Sequence, residues 1–298
     1  MTKDLASRQS YLYALLAILF WSTVPTAFKI SLSKLPVIPL VTIASVTSTL
    51  ILFILVASQG KFRLILSCNG REMMNSAFLG LINPLIYYII LLKAYELLPA
   101  QVAQPLNMIW PIVLVFLSVP LLKQKIALKS FLALFISFTG VYIISSQGDP
   151  FNPGEVNTKG VLLATGSSVF WAFYFIMNIR DKRDESVKLF LNFLFGSVYL
   201  IAFVTFSERW PAGITFISAA PAIYVGVFEM GITFFLWLKA LQLAETTAKV
   251  SNLVYLGPFL SLALVHFILH EPLYYTTPAG LLLIISGVLI QTTKTKKV

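Results

Sequence analysis

One carboxyl group stands apart in this 298-residue chain. Glu229 lies ten residues into the apolar run 219–243, with no Lys or Arg close by in sequence. At a helical rise of about 1.5 Å per residue it is ~15 Å deep, near the middle of a hydrocarbon layer ~30 Å thick. Ionisable residues at such depth are costly and mark functional sites by default. A carboxyl there can bind an ammonium while ionised, or take up a proton in exchange. The plainer reading is a protonated group that bonds a neighbouring helix. Neutral polar and aromatic residues recur beside helix breakers. Asn83 and Tyr87 share a helical face, as do Asn107 and Trp110 beside Pro111, and Asn252 and Tyr255. Trp21 precedes Pro25 by one turn. Proline in a spanning helix frees a carbonyl that can line a cavity. Together these residues suggest an aromatic-walled cavity with amide and carboxylate groups, suited to an organic cation through cation–π contact.

The elements that must position these groups are membrane helices. Hydrophobic residues are 58% of the chain and charged residues 11%, against roughly 25% charged in a soluble domain. Mean hydropathy is +0.85. A soluble fold has too much surface to cover with so few charges, so a cytosolic enzyme, a nucleic-acid binder and a disordered chain are excluded. Ten apolar runs are long enough to span: 11–31, 38–57, 75–97, 104–122, 130–147, 159–178, 189–206, 219–243, 250–269 and 277–293. They are continuous rather than alternating, unlike the strands of a β-barrel. Lys3 and Arg8 before Tyr11 superficially suggest a signal peptide, but the run from Tyr11 is the first of ten and reads as a span.

With the N-terminus in the cytoplasm, 16 of the 22 Lys and Arg fall in cytoplasmic segments and three on the opposite side. The other three, Lys29, Lys93 and Lys239, lie within or at the ends of helices. This bias predicts an even number of spans with both termini cytoplasmic, and it accounts for the formal charge of +10. Lys93 and Lys239 are placed to snorkel to the headgroups. Lys29 either reaches an interface or faces the pathway.

The chain contains a repeat. Phe20-Trp21-Ser22 resembles Phe170-Trp171-Ala172, and Leu92-Lys93-Ala94 resembles Leu238-Lys239-Ala240 at a shift of 146. Trp110-Pro111 aligns with Gly257-Pro258, and Phe138-Thr139-Gly140-Val141 with Ile285-Ser286-Gly287-Val288, each at 147. The shift of 146 also pairs Asn83 with Glu229. Residues 1–147 and 159–298 are thus two repeats, joined by the linker 148–158. Five spans is an odd number, so the second repeat enters the membrane from the opposite face. The expected fold is an all-α integral membrane protein of ten transmembrane helices in two inverted five-helix repeats, an architecture of many secondary transporters.

These motifs resemble the EamA-type, ten-helix branch of the drug/metabolite transporter superfamily. Trp21 with Lys29, Pro258 with Glu271, Pro111, and the small-residue pairs Ala133/Gly140 and Gly280/Gly287 match the family pattern, while Gln124 stands where the first repeat would carry Glu. The run Asn107-Met108-Ile109-Trp110-Pro111 looks closest to exporters of aromatic amino acids. The resemblance implies a multi-pass inner-membrane exporter of small metabolites. The small residues lie seven apart and read as helix-packing seams.

The expectation is a secondary transporter of amino-bearing solutes working by alternating access. Its candidate substrate-binding residues are Glu229, Asn83, Trp21, Tyr87, Asn107, Trp110, Trp171, Asn252, Tyr255 and Lys29. Expected partners are a small-molecule substrate, a proton or counter-substrate, and the lipid bilayer, with no nucleic acid. A membrane-embedded enzyme or a passive channel is the alternative. No cofactor is expected, since no phosphate-binding loop is present. His266 and His270 share a helical spacing but lack a third metal ligand, and Cys68 is a lone thiol.

Overall fold

The computed structural model describes residues 3–123, 128–151, 157–207, 210–243, 253 and 256–292. These residues form helices and connecting turns. Among the described residues, seven stretches are long and apolar enough to cross a membrane: Arg8–Leu32, Val37–Ser58, Gly70–Leu97, Ala100–Leu121, Thr158–Asn178, Glu185–Phe206 and Phe216–Trp237. Three shorter apolar helices, Phe131–Ser145, Gly257–Leu269 and Thr276–Ile290, occupy the places of the fifth, ninth and tenth expected spans. In lipid every backbone N–H and C=O must be satisfied within the segment, which is why such runs fold as helices.

Local chemistry sets several helix starts. The Asn69 side chain accepts from the Glu72 amide, and the Glu72 carboxylate accepts from the Asn69 amide in return, starting the helix Gly70–Gly80. Thr215 and Ser218 make the same reciprocal pair before Phe216–Phe228. Asn157 caps Thr158–Arg180. Asp184 caps Glu185–Phe206 and pairs with Lys61 at 2.7 Å. Burial works against the Asp184 carboxylate, but Lys61 and the two capping amides outweigh it and hold its pKa below the ordinary value.

The helices gather into two compact units that cut across the repeats. The first comprises Met1–Leu92 and Arg183–His270. In it α1 (Lys3–Leu32) packs on α11 (Phe216–Phe228), α12 (Ile232–Leu243) and α13 (Leu256–Leu269). Also in it, α10 (Glu185–Phe206) packs on α2 (Val37–Ser58), on α4 (Gly70–Gly80) and on the π-helical segment Leu81–Ile86 that follows α4. The short α3 (Phe62–Leu66) lies between α2 and α4, and α5 (Tyr87–Leu97) follows the π segment. Buried hydroxyls tie α2 to α10: Ser197 lies 2.8 Å from Ser45 and 2.9 Å from Thr49.

The second unit comprises Lys93–Lys182 and Glu271–Val298. Here α6 (Ala100–Asn107) and α7 (Trp110–Leu122) pack on α9 (Thr158–Arg180), and α8 (Leu128–Ser145) packs on α14 (Thr276–Thr292). The α8/α14 seam is the small-residue contact expected from sequence. A Cβ on Gly140 would sit 2.5 Å from the Gly280 carbonyl oxygen, and one on Gly280 would sit 2.6 Å from that of Gly140. Close backbone approach, rather than side-chain interdigitation, makes this contact.

Candidate functional site

The third and eighth spans are both interrupted, and the interruptions fall at the same repeat position. In the third, α4 ends at Gly80 and the π segment carries Asn83 at φ −145°, ψ 118°. The cause is local: Pro84 lacks an N–H, and its ring pushes the preceding residue into extended backbone. Gly196 of α10 makes room for that ring, since a Cβ there would run into Pro84. Asn83 is 1% exposed. Among the described residues neither its Oδ1 nor its Nδ2 has a hydrogen-bond partner.

In the eighth span α11 ends at Phe228, and Glu229, Met230 and Gly231 form a turn before α12. A Cβ on Gly231 would stand 2.9 Å from the Val227 carbonyl oxygen, so glycine suits this bend. The freed carbonyls find hydroxyl donors. Ser48 Oγ of α2 donates to the Met230 oxygen at 2.8 Å, and the Thr233 hydroxyl donates to the Phe228 oxygen. The continuous helix expected around Glu229 from the sequence does not form: the break puts this half-buried carboxyl at a helix end.

Tyr88, the second residue of α5, donates its O–H to Glu229 Oε1 at 3.1 Å. The Tyr88 ring meets Phe28 edge-on at 6.4 Å and Tyr87 at 4.8 Å between centroids. Beside the carboxyl, Phe228 packs on Phe20 at 4.7 Å and on Tyr224 at 4.5 Å. The Tyr224 hydroxyl bonds Thr23 at 2.7 Å. Trp21 packs on Phe234 and Trp237 at 5.9 and 5.5 Å. Lys29 is half-buried in the last turn of α1.

A second cluster lies in the second unit. The turn at Met108–Ile109 separates α6 from α7, so Asn107 ends one helix and Trp110 begins the next. They do not share one helical face, as their spacing had suggested; Pro105 and Pro111 flank the interruption. Asn107 Nδ2 donates to Ser167 Oγ at 2.7 Å, and Trp110 meets Trp171 at 6.5 Å. At the other end of α6, the Glu271 carboxylate accepts from the Ala100 and Gln101 amides at 3.1 and 3.3 Å. A carboxylate is well matched to a helix N-terminus.

The expected residues therefore divide. Glu229, Asn83, Trp21, Tyr87 and Lys29 belong to the first unit, and Asn107, Trp110 and Trp171 to the second. Asn252 and Tyr255 lie outside the described residues. Lys93 makes an ion pair with Glu96 at 2.6 Å, and the Lys239 ammonium sits 5.8 Å from the Phe235 ring centre. His270, at φ +55°, lies beyond the end of α13 and off the helical face of His266. Among the described residues no three His, Cys, Asp or Glu side chains gather as a metal site. Sequence reasoning missed Tyr88 and Ser48. The Asn83-Pro84 dipeptide was the available signal, because a break there cancels the four-residue face that had picked out Tyr87.

Long apolar helices, breaks within several of the spans and a half-buried carboxyl at one break mark a polytopic membrane protein. The model of the EamA-like transporter family matches residues 8–146 and again 158–293, and the chain belongs to that family. A relative named "Uncharacterized transporter YvbV", from Bacillus subtilis (strain 168), is 29% identical over 226 residues, 73% of this chain and 71% of its own length. An "Uncharacterized transporter" from Archaeoglobus fulgidus is 24% identical over 279 residues, covering 92% of this chain and 95% of its own. A solved crystal structure matches the fold with a TM-score of 0.66 at 18% identity, covering 96% of this chain and 97% of its own. The protein is thus a multi-pass membrane transporter with the family's ten-helix, two-repeat architecture.

Proposed function

We propose that this transporter is a secondary exporter of small amino-bearing metabolites, amino acids or amines, working by alternating access in the inner membrane. The observation that carries the reading is the Glu229 carboxyl, half-buried where the eighth span breaks, bonded by Tyr88 and next in the chain to Phe228, whose ring packs on Phe20. A carboxylate is the natural partner of a substrate ammonium, and aromatic faces add cation–π attraction. The buried amide of Asn83 supports the same reading. A polar group without a partner costs about 1–3 kcal/mol, which a polar substrate group would relieve. Discontinuous helices at repeat-related positions are where transporters of inverted-repeat design bind their ligands. The coupling partner is a proton or a counter-substrate.

The test is counterflow. Purified protein in liposomes should move labelled phenylalanine or phenethylamine unaltered, and unlabelled substrate on the far side should accelerate it. Flux without that acceleration would mark a passive channel, and a chemically altered probe would mark an enzyme.

The proposed orientation places both termini in the cytoplasm and the linker 148–158 on the opposite side. Reporter fusions at residue 298 should therefore read cytoplasmic, and fusions within the linker should not. A cytoplasmic linker would sink both the orientation and the division into two five-span repeats.

A further inference from the structure

The geometry points to Tyr88 as the positioning residue for Glu229, the group through which the charge on that carboxyl is felt at the breaks of both the third and the eighth span. The inference rests on the reading of Glu229 given above and goes beyond it, because Tyr88 was no part of the sequence-derived site.

Three observations combine. The Tyr88 side chain is 0% exposed, and its O–H points at Glu229 Oε1 from 3.1 Å. Its ring is held on two sides by Phe28 and Tyr87, so the hydroxyl cannot swing away without repacking α1. Finally, Tyr88 is the second residue after the π segment, and Glu229 is the first after α11. The bond therefore joins the segment that breaks at Asn83 to the segment that breaks at Glu229, the pair related by the repeat shift of 146. An ionised carboxylate is a far stronger acceptor than a neutral one. When Glu229 gains or loses negative charge, the tie between the two breaks tightens or weakens accordingly.

The helices around this pair carry few other charged or titratable groups among the described residues. The whole of α2 carries none. On α12 the one such group is Lys239, which lies against Phe235. On α11 it is Tyr224, bonded to Thr23. The described side chains of α1 include Arg8, Tyr11, Tyr13 and Lys29, and within the first unit α5 adds Tyr87.

The experiment needs no knowledge of the substrate. Infrared difference spectra of the reconstituted protein are recorded through a pH titration, and the Glu229 carboxyl band is assigned by its loss in Glu229→Gln. Tyr88→Phe keeps the ring and removes only the hydroxyl. The expected result is a band moved to higher frequency, since the carboxyl oxygen loses the hydrogen bond that Tyr88 donates. Installing 3-fluorotyrosine at position 88 keeps the shape, sharpens the donor and should move the band the other way; it serves also if Tyr88→Phe folds poorly. If both substitutions leave the band unchanged, the positioning role is overturned while Glu229 stands. If Glu229→Gln removes no titrating band, the reading of Glu229 itself fails, and this inference with it.

Discussion

Glu229→Gln is expected to abolish most transport while leaving the protein folded. Glutamine is nearly isosteric, can still accept from Tyr88, and is a neutral amide suited to the membrane interior. It cannot titrate, and it cannot pair with an ammonium. Loss of a charge-assisted contact costs about 1.5–3 kcal/mol, roughly ten- to a hundredfold in affinity. Proteoliposome uptake from about pH 5.5 to about 8, the range in which perturbed carboxyls titrate, should show low and pH-independent flux. Melting in detergent, measured alongside, should match the unaltered protein. Asn83→Ala should be milder, because a neutral partner is lost. Normal transport by Glu229→Gln at every pH would reduce this carboxyl to a structural hydrogen-bonding group.

The largest effect on the fold itself is expected at the α8/α14 seam. Gly280→Val sets a branched side chain where even one carbon would lie 2.6 Å from the Gly140 carbonyl oxygen. The atom in the way is backbone, so no side chain can rotate aside and the helices must separate. Overpacking costs about 1–3 kcal/mol, and a rigid backbone obstacle belongs at the upper end. The variant should melt earlier in detergent and be recovered in lower yield. Gly166→Ala in α9 is the control. Nothing lies within 4 Å of a Cβ built at Gly166, and alanine favours a helix by up to about 1 kcal/mol over glycine. It should therefore melt at the same temperature or slightly higher. Equal melting of the two variants would mean that the seam does not hold the second unit together.

The apolar runs were legible because a spanning helix must be apolar over its whole length, whatever it packs against. The seam residues Gly140 and Gly280 were legible for a related reason: small residues in register have few other uses in lipid. The interruptions were not. A hydropathy window averages over Glu229-Met230-Gly231 and over Asn83-Pro84 without noticing that the helical ladder stops. The error then spread to the site. Counting four residues on from Asn83 selected Tyr87, whereas the bent backbone brings Tyr88 to the carboxyl. The same averaging joined Asn107 to Trp110 across a turn. The two compact units were also beyond reach. They draw helices from both repeats, and which helix pairs with which depends on close contacts such as Gly196 against Pro84 and Gly226 against the backbone of Ala44.

The break in the eighth span has an electrostatic consequence. It divides one long helix into two rods of similar length, 13 residues in α11 and 12 in α12. Glu229 sits at the C-terminal end of the first and just ahead of the N-terminal end of the second. Those ends carry partial charges of about −0.5 and +0.5 of an electron. One discourages an anion and the other welcomes it, so the two helix ends act on a carboxyl at the break with opposite signs. The backbone fields there oppose rather than reinforce each other. On the reading proposed above, a proton or an ammonium arriving there would become the dominant local charge, and the electrical state of the break would follow whatever occupies it.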